Sequence, residues 1–362
     1  MTTRNGGGRN AKFLQFWAYA LRAKSMLGTA GDQSRQAKRH RSQFYQDVWS
    51  EAANELGAAI EALDADIFKI SRAGASTKVH NNDTGLDDPV TLRVALNKPL
   101  VLTMLRAHGL PTPDFAAFGL SSMSKAYEFL GRHRRCVVKP ADGTGGGDGV
   151  TTGVETRRQI FRAAIRAAGF SRELQIEEQV QGDTIRLLYL DGRLLDAVKR
   201  GAPAVLGDGK ARISQLVERL NQRRLDAGYE LAQVALKRDM DMERTLAGQN
   251  LSWRSVPENG RRVVLKGVIN DNMADENVSV MHEVSESVIA AGRQAAELIG
   301  ARLAGVDVIT PDLRRGLDEA GGRILEVNAT PGFHYHYFKL GGACRVAVPI
   351  LKTCWESARE SR

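Results

Sequence analysis

Two short apolar segments late in this 362-residue chain carry acids: Gly305-Val306-Asp307-Val308-Ile309 and Ile324-Leu325-Glu326-Val327-Asn328. An unpaired carboxylate in such a setting is costly, so it calls for a cation. Side chains alternate along a strand, which sends Glu326 and Asn328 to one face. Asp307, Glu326 and Asn328 together form an all-oxygen donor set, which suits magnesium bridging phosphates. An ion pair with arginine at a sheet edge accounts for any one of them, but less well for all three.

A second chemical feature lies earlier. Val137-Val138-Lys139-Pro140 runs into a loop, residues 141–149, with five glycines in nine positions, including Gly145, Gly146 and Gly147. Backbone amides in such a loop are free to close over phosphate oxygens, and Lys139 adds a point charge. The loop has neither P-loop nor Rossmann spacing, so by itself it reads equally as a flexible turn.

These residues need elements to hold them. Apolar spacing predicts a helix over residues 43–63 and a short strand at 66–70, opening a small α/β lobe over 41–112. Asp88-Pro89 starts a helix that ends before Pro99; a second helix follows and stops at Gly109. Residues 136–139 read as a buried strand and 156–168 as a helix. Strands follow at 174–178, 185–190 and 194–198, the last two joined by the hairpin signal Asp191-Gly192. Residues 201–260 read as a polar insertion with helical runs at 213–221 and 242–246. A strand at 262–266, a helix at 283–299 and strands at 304–309 and 323–328 complete the pattern. The first 40 residues read as a mobile basic arm holding one short amphipathic helix at 13–27.

Composition narrows the class. Apolar residues are 43% and charged residues 26%, as in ordinary soluble domains, which excludes disorder and fibrous folds. The net charge of +9 invites an acidic partner, but the basic residues are spread along the chain and no nucleic-acid motif appears, so no nucleic acid is expected. Cys136, Cys344 and Cys354 lack CxxC spacing, which fits a reducing cytoplasm without disulfides or zinc. No apolar stretch approaches the roughly 20 residues that span a bilayer, so no membrane partner is expected.

Taken in order, the motifs resemble the ATP-grasp carboxylate-amine ligases, in particular the cyanophycin synthetase type. Lys98, in Asn97-Lys98-Pro99, resembles the family's first nucleotide lysine, and Gly109-Leu110-Pro111-Thr112-Pro113 its G(I/L)PxP segment. Lys139 and the glycine loop resemble the second lysine and the phosphate flap. Ile176 to Gly182 resembles the adenine hinge, with Glu177, Glu178 and Val180 at the base, Thr184 at the ribose position and Arg186 as the family's arginine. Lys199 and Arg200 stand where a basic pair reaches the transferred phosphate or the acyl phosphate. Residues 328–333 match NxxPGF, so Asp307, Glu326 and Asn328 take the metal-ligand positions.

The resemblance implies an α/β (α+β) ATP-grasp fold. Nucleotide would lie between a small lobe at 113–200 and a large lobe at 201–362, beside the smaller N-terminal α/β lobe. It further implies ATP and two magnesium ions, with manganese as an alternative. The reaction it implies is an amide or peptide ligation through an acyl phosphate, on a small-molecule amino acid or peptide substrate. His334 and His336 are candidate general bases, and a homo-oligomer is compatible with this reading. The N-terminal domain and the P-loop ligase of cyanophycin synthetase have no counterpart in these residues, which leaves one chemistry. The alternative is an ATP-binding regulatory protein that keeps the fold without ligation.

Overall fold

The computed structural model describes residues 32–142, 147–230, 235–269 and 273–360. The expected helix at 13–27 lies outside them, as do Gly145 and Gly146.

The described residues begin with helix α1 (Asp32–Glu55), the three-stranded antiparallel sheet β1 (Ala59–Ala62), β2 (Ile67–Arg72) and β3 (Ala75–His80), then helices α2 (Pro89–Leu96) and α3 (Lys98–Ala107). The helical spacing expected through residue 63 breaks at Gly57, whose φ of +61° ends α1, and Ile60 falls in β1. Residues 32–40, expected in a mobile arm, are the first turns of α1. Asp88 caps α2, accepting hydrogen bonds from the amides of Val90 and Thr91.

Next come β4 (Phe115–Phe118), α4 (Met123–Arg132), β5 (Cys136–Pro140), β6 (Thr151–Val154), α5 (Arg157–Ala168) and β7 (Leu174–Glu178). Their strands form a four-stranded antiparallel sheet in the order β4-β7-β5-β6. One face buries Val138, Val154, Leu174 and Ile176 against Phe129 of α4 and Ile160, Ala163, Ala164 and Ala167 of α5. Thr156 and Gln159 close a reciprocal capping box at the start of α5.

Strands β8 (Asp183–Leu190) and β9 (Arg193–Arg200) form the expected hairpin, with Asp191 and Gly192 both at positive φ, as a two-residue turn of this kind requires. Beyond it lie β10 (Ala204–Leu206), α6 (Ile213–Asp226), α7 (Met240–Gly248), β11 (Arg262–Val264), β12 (Asn277–Ser279), α8 (Glu286–Ile299), β13 (Leu303–Thr310), α9 (Leu317–Ala320), β14 (Arg323–Asn328), α10 (His334–Tyr337) and α11 (Ala347–Glu360). The central five-stranded sheet runs β12-β9-β8-β13-β14. By sheet membership β8 and β9 therefore go with the C-terminal strands, and the lobe boundary expected at residue 200 falls between β7 and β8.

The central sheet is covered unequally. One face packs Ile185, Leu187, Val306, Val308 and Ile324 against α3 and α8. On the other, Leu188, Leu190 and Leu303 meet α1, the three-stranded sheet and α11. The N-terminal residues thus share their core with the C-terminal helix and do not form a lobe of their own. Past that cover, the same face of the sheet turns polar. Residues 205–273 enclose a core of their own around Ile213, Val217, Met242 and Leu265.

Gly182, in the crossing between β7 and β8, has φ +135°, and a Cβ there would lie 2.4 Å from the carbonyl carbon of Thr310. Gly182→Ala is expected to cost about 2–4 kcal/mol in urea unfolding, through strain and overlap with backbone. Gly131→Ala, in α4 with open space around it, is expected to gain about 0.5–1 kcal/mol from helix propensity.

Candidate active site

The polar half of that face is assembled by strand register. Asp307 on β13 stands opposite Arg186 of β8 on one side and Glu326 of β14 on the other. Opposed residues of antiparallel strands project side by side on one face, so the three charged groups meet. Arg186 donates from Nε and Nη2 to the two oxygens of Asp307 at 2.5 and 2.8 Å. Asn328, two residues from Glu326, donates from Nδ2 to Glu326 Oε1 at 3.1 Å and lies 3.4 Å from Asp307 Oδ2. Gly305 makes room: a Cβ there would come within 2.8 Å of both Arg186 Nη1 and Pro331 Cβ.

Asp307 and Arg186 are each 5% exposed. Burial pushes the Asp307 carboxyl up, against the pull of Arg186. Burial acts on Glu326 in the same sense, yet Lys98, the hydrogen bond with Asp307, Lys139 and Asn328 together draw it down to about 2. The two lysines come from other elements. Lys98 opens α3, its backbone amide donating to the carbonyl of Ala141 at the root of the glycine loop, 3.3 Å away. Lys139, next to the last residue of β5, pairs with buried Glu177 at 2.7 Å.

Of the other expected site residues, Arg200 lies on the same face as Arg186, and Thr184 stands opposite it on β8, half-buried. Alternation sends Lys199 to the opposite face, where it pairs with Asp183. It likewise separates Glu177 from Glu178, whose Oε1 accepts from the backbone amide of Asp114 at 3.2 Å beside His133. Val180 is half-buried in the crossing between the sheets, and Gly147 holds φ +75° as the glycine loop returns toward β6.

The structure does not bring His334 and His336 to the cleft. His334 Nε2 donates to the carbonyl of Tyr229, and its ring packs on Phe44 and Phe338. His336 is fully buried, with Nδ1 donating to Asp196 at 2.7 Å, and Lys339 also pairs with that carboxylate. Burial lowers both imidazoles to about 4, so both are neutral at pH 7.

Two residues escaped the sequence reading. Gln175 is fully buried on the Lys139 face, donating to Glu177 at 2.8 Å, while its own Oε1 has no hydrogen-bond partner. The i, i+2 spacing of Gln175 and Glu177 was the available signal. Tyr335 lies over the guanidinium groups of Arg186 and Arg200, and nothing in its local sequence marked it.

The site has the donor chemistry for a divalent cation. Among the described residues no cluster of three His, Cys, Asp or Glu side chains has metal-site geometry, so the set is two carboxylates and one carboxamide, all hard oxygen donors. A cation there would relieve two acids held side by side, once the Asn328 amide turned its oxygen inward. Four cations, Lys98, Lys139, Arg186 and Arg200, surround three carboxylates, leaving a surplus suited to an anionic ligand.

No family model matches the chain. The crystal structure of a bifunctional glutathione synthetase from Pasteurella multocida superposes with a TM-score of 0.55 at 23% identity, over 86% of this chain and 44% of that one. The chain has the ATP-grasp fold. Cyanophycin synthetase of Trichormus variabilis is 29% identical over 275 residues, 75% of this chain and 30% of the relative. That of Synechocystis sp. is 30% identical over 300 residues, 80% and 33%. The glutathione biosynthesis bifunctional protein GshAB of Listeria innocua is 26% identical over 302 residues, 82% and 39%. This ATP-grasp chain spans about a third of the length of the curated relatives it matches. Among its described residues, no helix is long and apolar enough to cross a membrane.

Two outcomes are expected. Glu326→Ala weakens magnesium-dependent AMP-PNP binding, measured by calorimetry, at least tenfold, whereas affinity equal to wild type removes Glu326 from the metal set. The second concerns pH. The imidazoles of His334 and His336 have folded pKa values below their unfolded value, so the unfolded chain binds more protons between about pH 6.5 and 4. Stability is full above pH 6.5 and falls as the pH drops through that window, by on the order of 3 kcal/mol for His334. Urea midpoints at pH 7 and 5 check this, and His334→Gln is expected to flatten the slope.

Proposed function

We propose that the chain is an ATP-dependent carboxylate-amine ligase, forming an amide or peptide bond through an acyl phosphate on an amino acid or peptide substrate. The observation that carries this reading is the alignment of Arg186, Asp307 and Glu326 across β8, β13 and β14, with Asn328 beside them and Lys98 and Lys139 facing them from α3 and β5. The similarity to cyanophycin synthetase and GshAB, both named for biosynthetic chemistry on amino acids or peptides, supports the substrate class.

The roles follow from charge. A carboxylate acylates poorly because its leaving group would be oxide, and phosphorylation supplies a better one, so the protein mainly positions and neutralises. Lys98 and Lys139 bind the nucleotide phosphates. Glu177 and Val180 line the base, with the backbone of Glu178 at the hinge and Thr184 toward the ribose. Asp307, Glu326 and Asn328 would hold magnesium, two ions on this reading, whose charge would neutralise the transferred phosphoryl group. Arg200, with Arg186 behind it, steadies the acyl phosphate. Lys199, on the far face, takes no part. The incoming amine loses its proton to a group other than His334 and His336, which are sealed from the cleft. All three cysteines are free thiols, which supports a reducing, cytoplasmic setting.

The test is incubation with magnesium ATP and pools of amino acids or short peptides, following phosphate release and product mass. One pool is expected to give stoichiometric phosphate and a product lighter by water than its two components. ATP binding with no release in any pool would favour a regulatory nucleotide-binding protein.

A further inference from the structure

Tyr335 is the centre residue of the run Phe333-His334-Tyr335-His336-Tyr337, on the one-turn helix α10 that follows the loop from Asn328. Its neighbours are spent on packing, His334 among Phe44, Phe338 and Tyr229 and His336 on Asp196. Tyr335 alone of the run faces the charged half of the sheet. Its ring centroid lies 5.3 Å from the Arg186 guanidinium carbon and 4.8 Å from that of Arg200. Its hydroxyl accepts a hydrogen bond from Arg186 Nη1 at 2.7 Å, while Nε and Nη2 of the same arginine hold Asp307.

We propose that Tyr335 is a positioning residue that fixes the guanidinium planes of Arg186 and Arg200 on the phosphate side of the site, and thereby sets preference for a nucleotide that carries a terminal phosphate. The inference rests on the ligase reading above and adds to it a residue for which the motifs gave no role. The physical argument is orientation. A guanidinium is a rigid planar fork that rewards bidentate geometry, and on a flexible stem it loses rotamer freedom when it binds an anion. Arg186 is oriented by two partners, Asp307 and the Tyr335 hydroxyl, which between them hold three of its nitrogens. Arg200 is 5% exposed and belongs to the same charge cluster, where its positive charge opposes the upward push of burial on Asp307. The aromatic face contributes to holding both planes without consuming an N–H donor of its own, since attraction to the ring face uses none. One half-buried side chain therefore arranges two cations that come from different strands.

Calorimetry with Mg·AMP-PNP and Mg·ADP separates the contributions, because only the first carries the terminal phosphate. Tyr335→Leu is expected to bind Mg·AMP-PNP at least tenfold more weakly than wild type, about 1.4 kcal/mol, with Mg·ADP affinity changed less than threefold and the melting temperature unaltered. Tyr335→Phe, which keeps the ring but loses the hydroxyl contact with Arg186, is expected to lose less Mg·AMP-PNP affinity than Tyr335→Leu, with Mg·ADP again changed less than threefold. Tyr335→Met, closer in volume, repeats the test should the leucine variant fold poorly. Equal losses for the two nucleotides, or none, in a folded non-aromatic variant would overturn the positioning role. Wild type binding neither nucleotide would overturn the ligase reading, and the role of Tyr335 with it.

Discussion

Two carboxylates held abreast in a buried sheet are the constraint from which the rest of the site follows. Register puts Asp307 beside Glu326, and like charges directly opposite on neighbouring strands oppose pairing. The sheet tolerates them because Arg186 enters from the third strand with two hydrogen bonds and the lysines of α3 and β5 lower Glu326 across the cleft. No one of these cations lies in the same segment as the acids. The acids therefore tie together β5, β8, α3 and β14, elements separated widely in the chain. The cations that hold Asp307 and Glu326 are the same ones that an anionic ligand would meet.

The insertion is bound into this arrangement more tightly than its polar sequence suggests. Asp241 of α7 is buried and accepts from the Thr152 hydroxyl at 2.7 Å and from the amides of Gly267 and Val268 at 2.8 and 2.9 Å. Arg244, one turn on, donates to the carbonyls of Thr152 and Gly153. Thr152 and Gly153 are in β6, the strand into which the glycine loop runs. The loop is thus anchored at one end by β5 within the four-stranded sheet and at the other by a helix of the insertion. Displacing β6 would break the buried Asp241 contacts, a costly event for a carboxylate with so many donors.

Much of this was legible in the sequence, for identifiable reasons. Residues 174–178 and 323–328 read as strands with the boundaries that the structure shows, since their apolar patterns end at polar or glycine residues. The carboxylate pair was visible because acids in apolar strands are rare and conspicuous. The first helix was misread at its end, where a 3.6-residue pattern ran by chance past Gly57 into a strand. Lys199 and Arg200 were taken as a pair, although adjacent residues in a strand cannot share a face. What the sequence could not reveal is which core a residue joins. Residues 41–112 read as one lobe, but α1 and the three-stranded sheet pack on one face of the central sheet while α2 and α3 pack on the other. That division depends on tertiary contacts with α8 and α11, hundreds of residues away.

The segment after Asn328 shows how one short run is divided between structure and chemistry. Thr330 is held through its carbonyl by Asn82 at 2.6 Å, and the Phe333 amide donates to Tyr45 of α1 at 3.2 Å. The rings of Phe333, His334 and Tyr337 then join Phe44, Tyr45 and Trp49 in an aromatic cluster. A cation at position 334 would have to be buried among those rings, at heavy cost. A neutral histidine fits instead, donating its one N–H to Tyr229. His334 therefore serves the docking of α1 onto the loop, as a packed contact with the N-terminal helix and not as a charge at the polar edge of the sheet. With His334 withdrawn, the cations that remain on this edge of the sheet are Arg186 and Arg200, arranged around the Tyr335 ring.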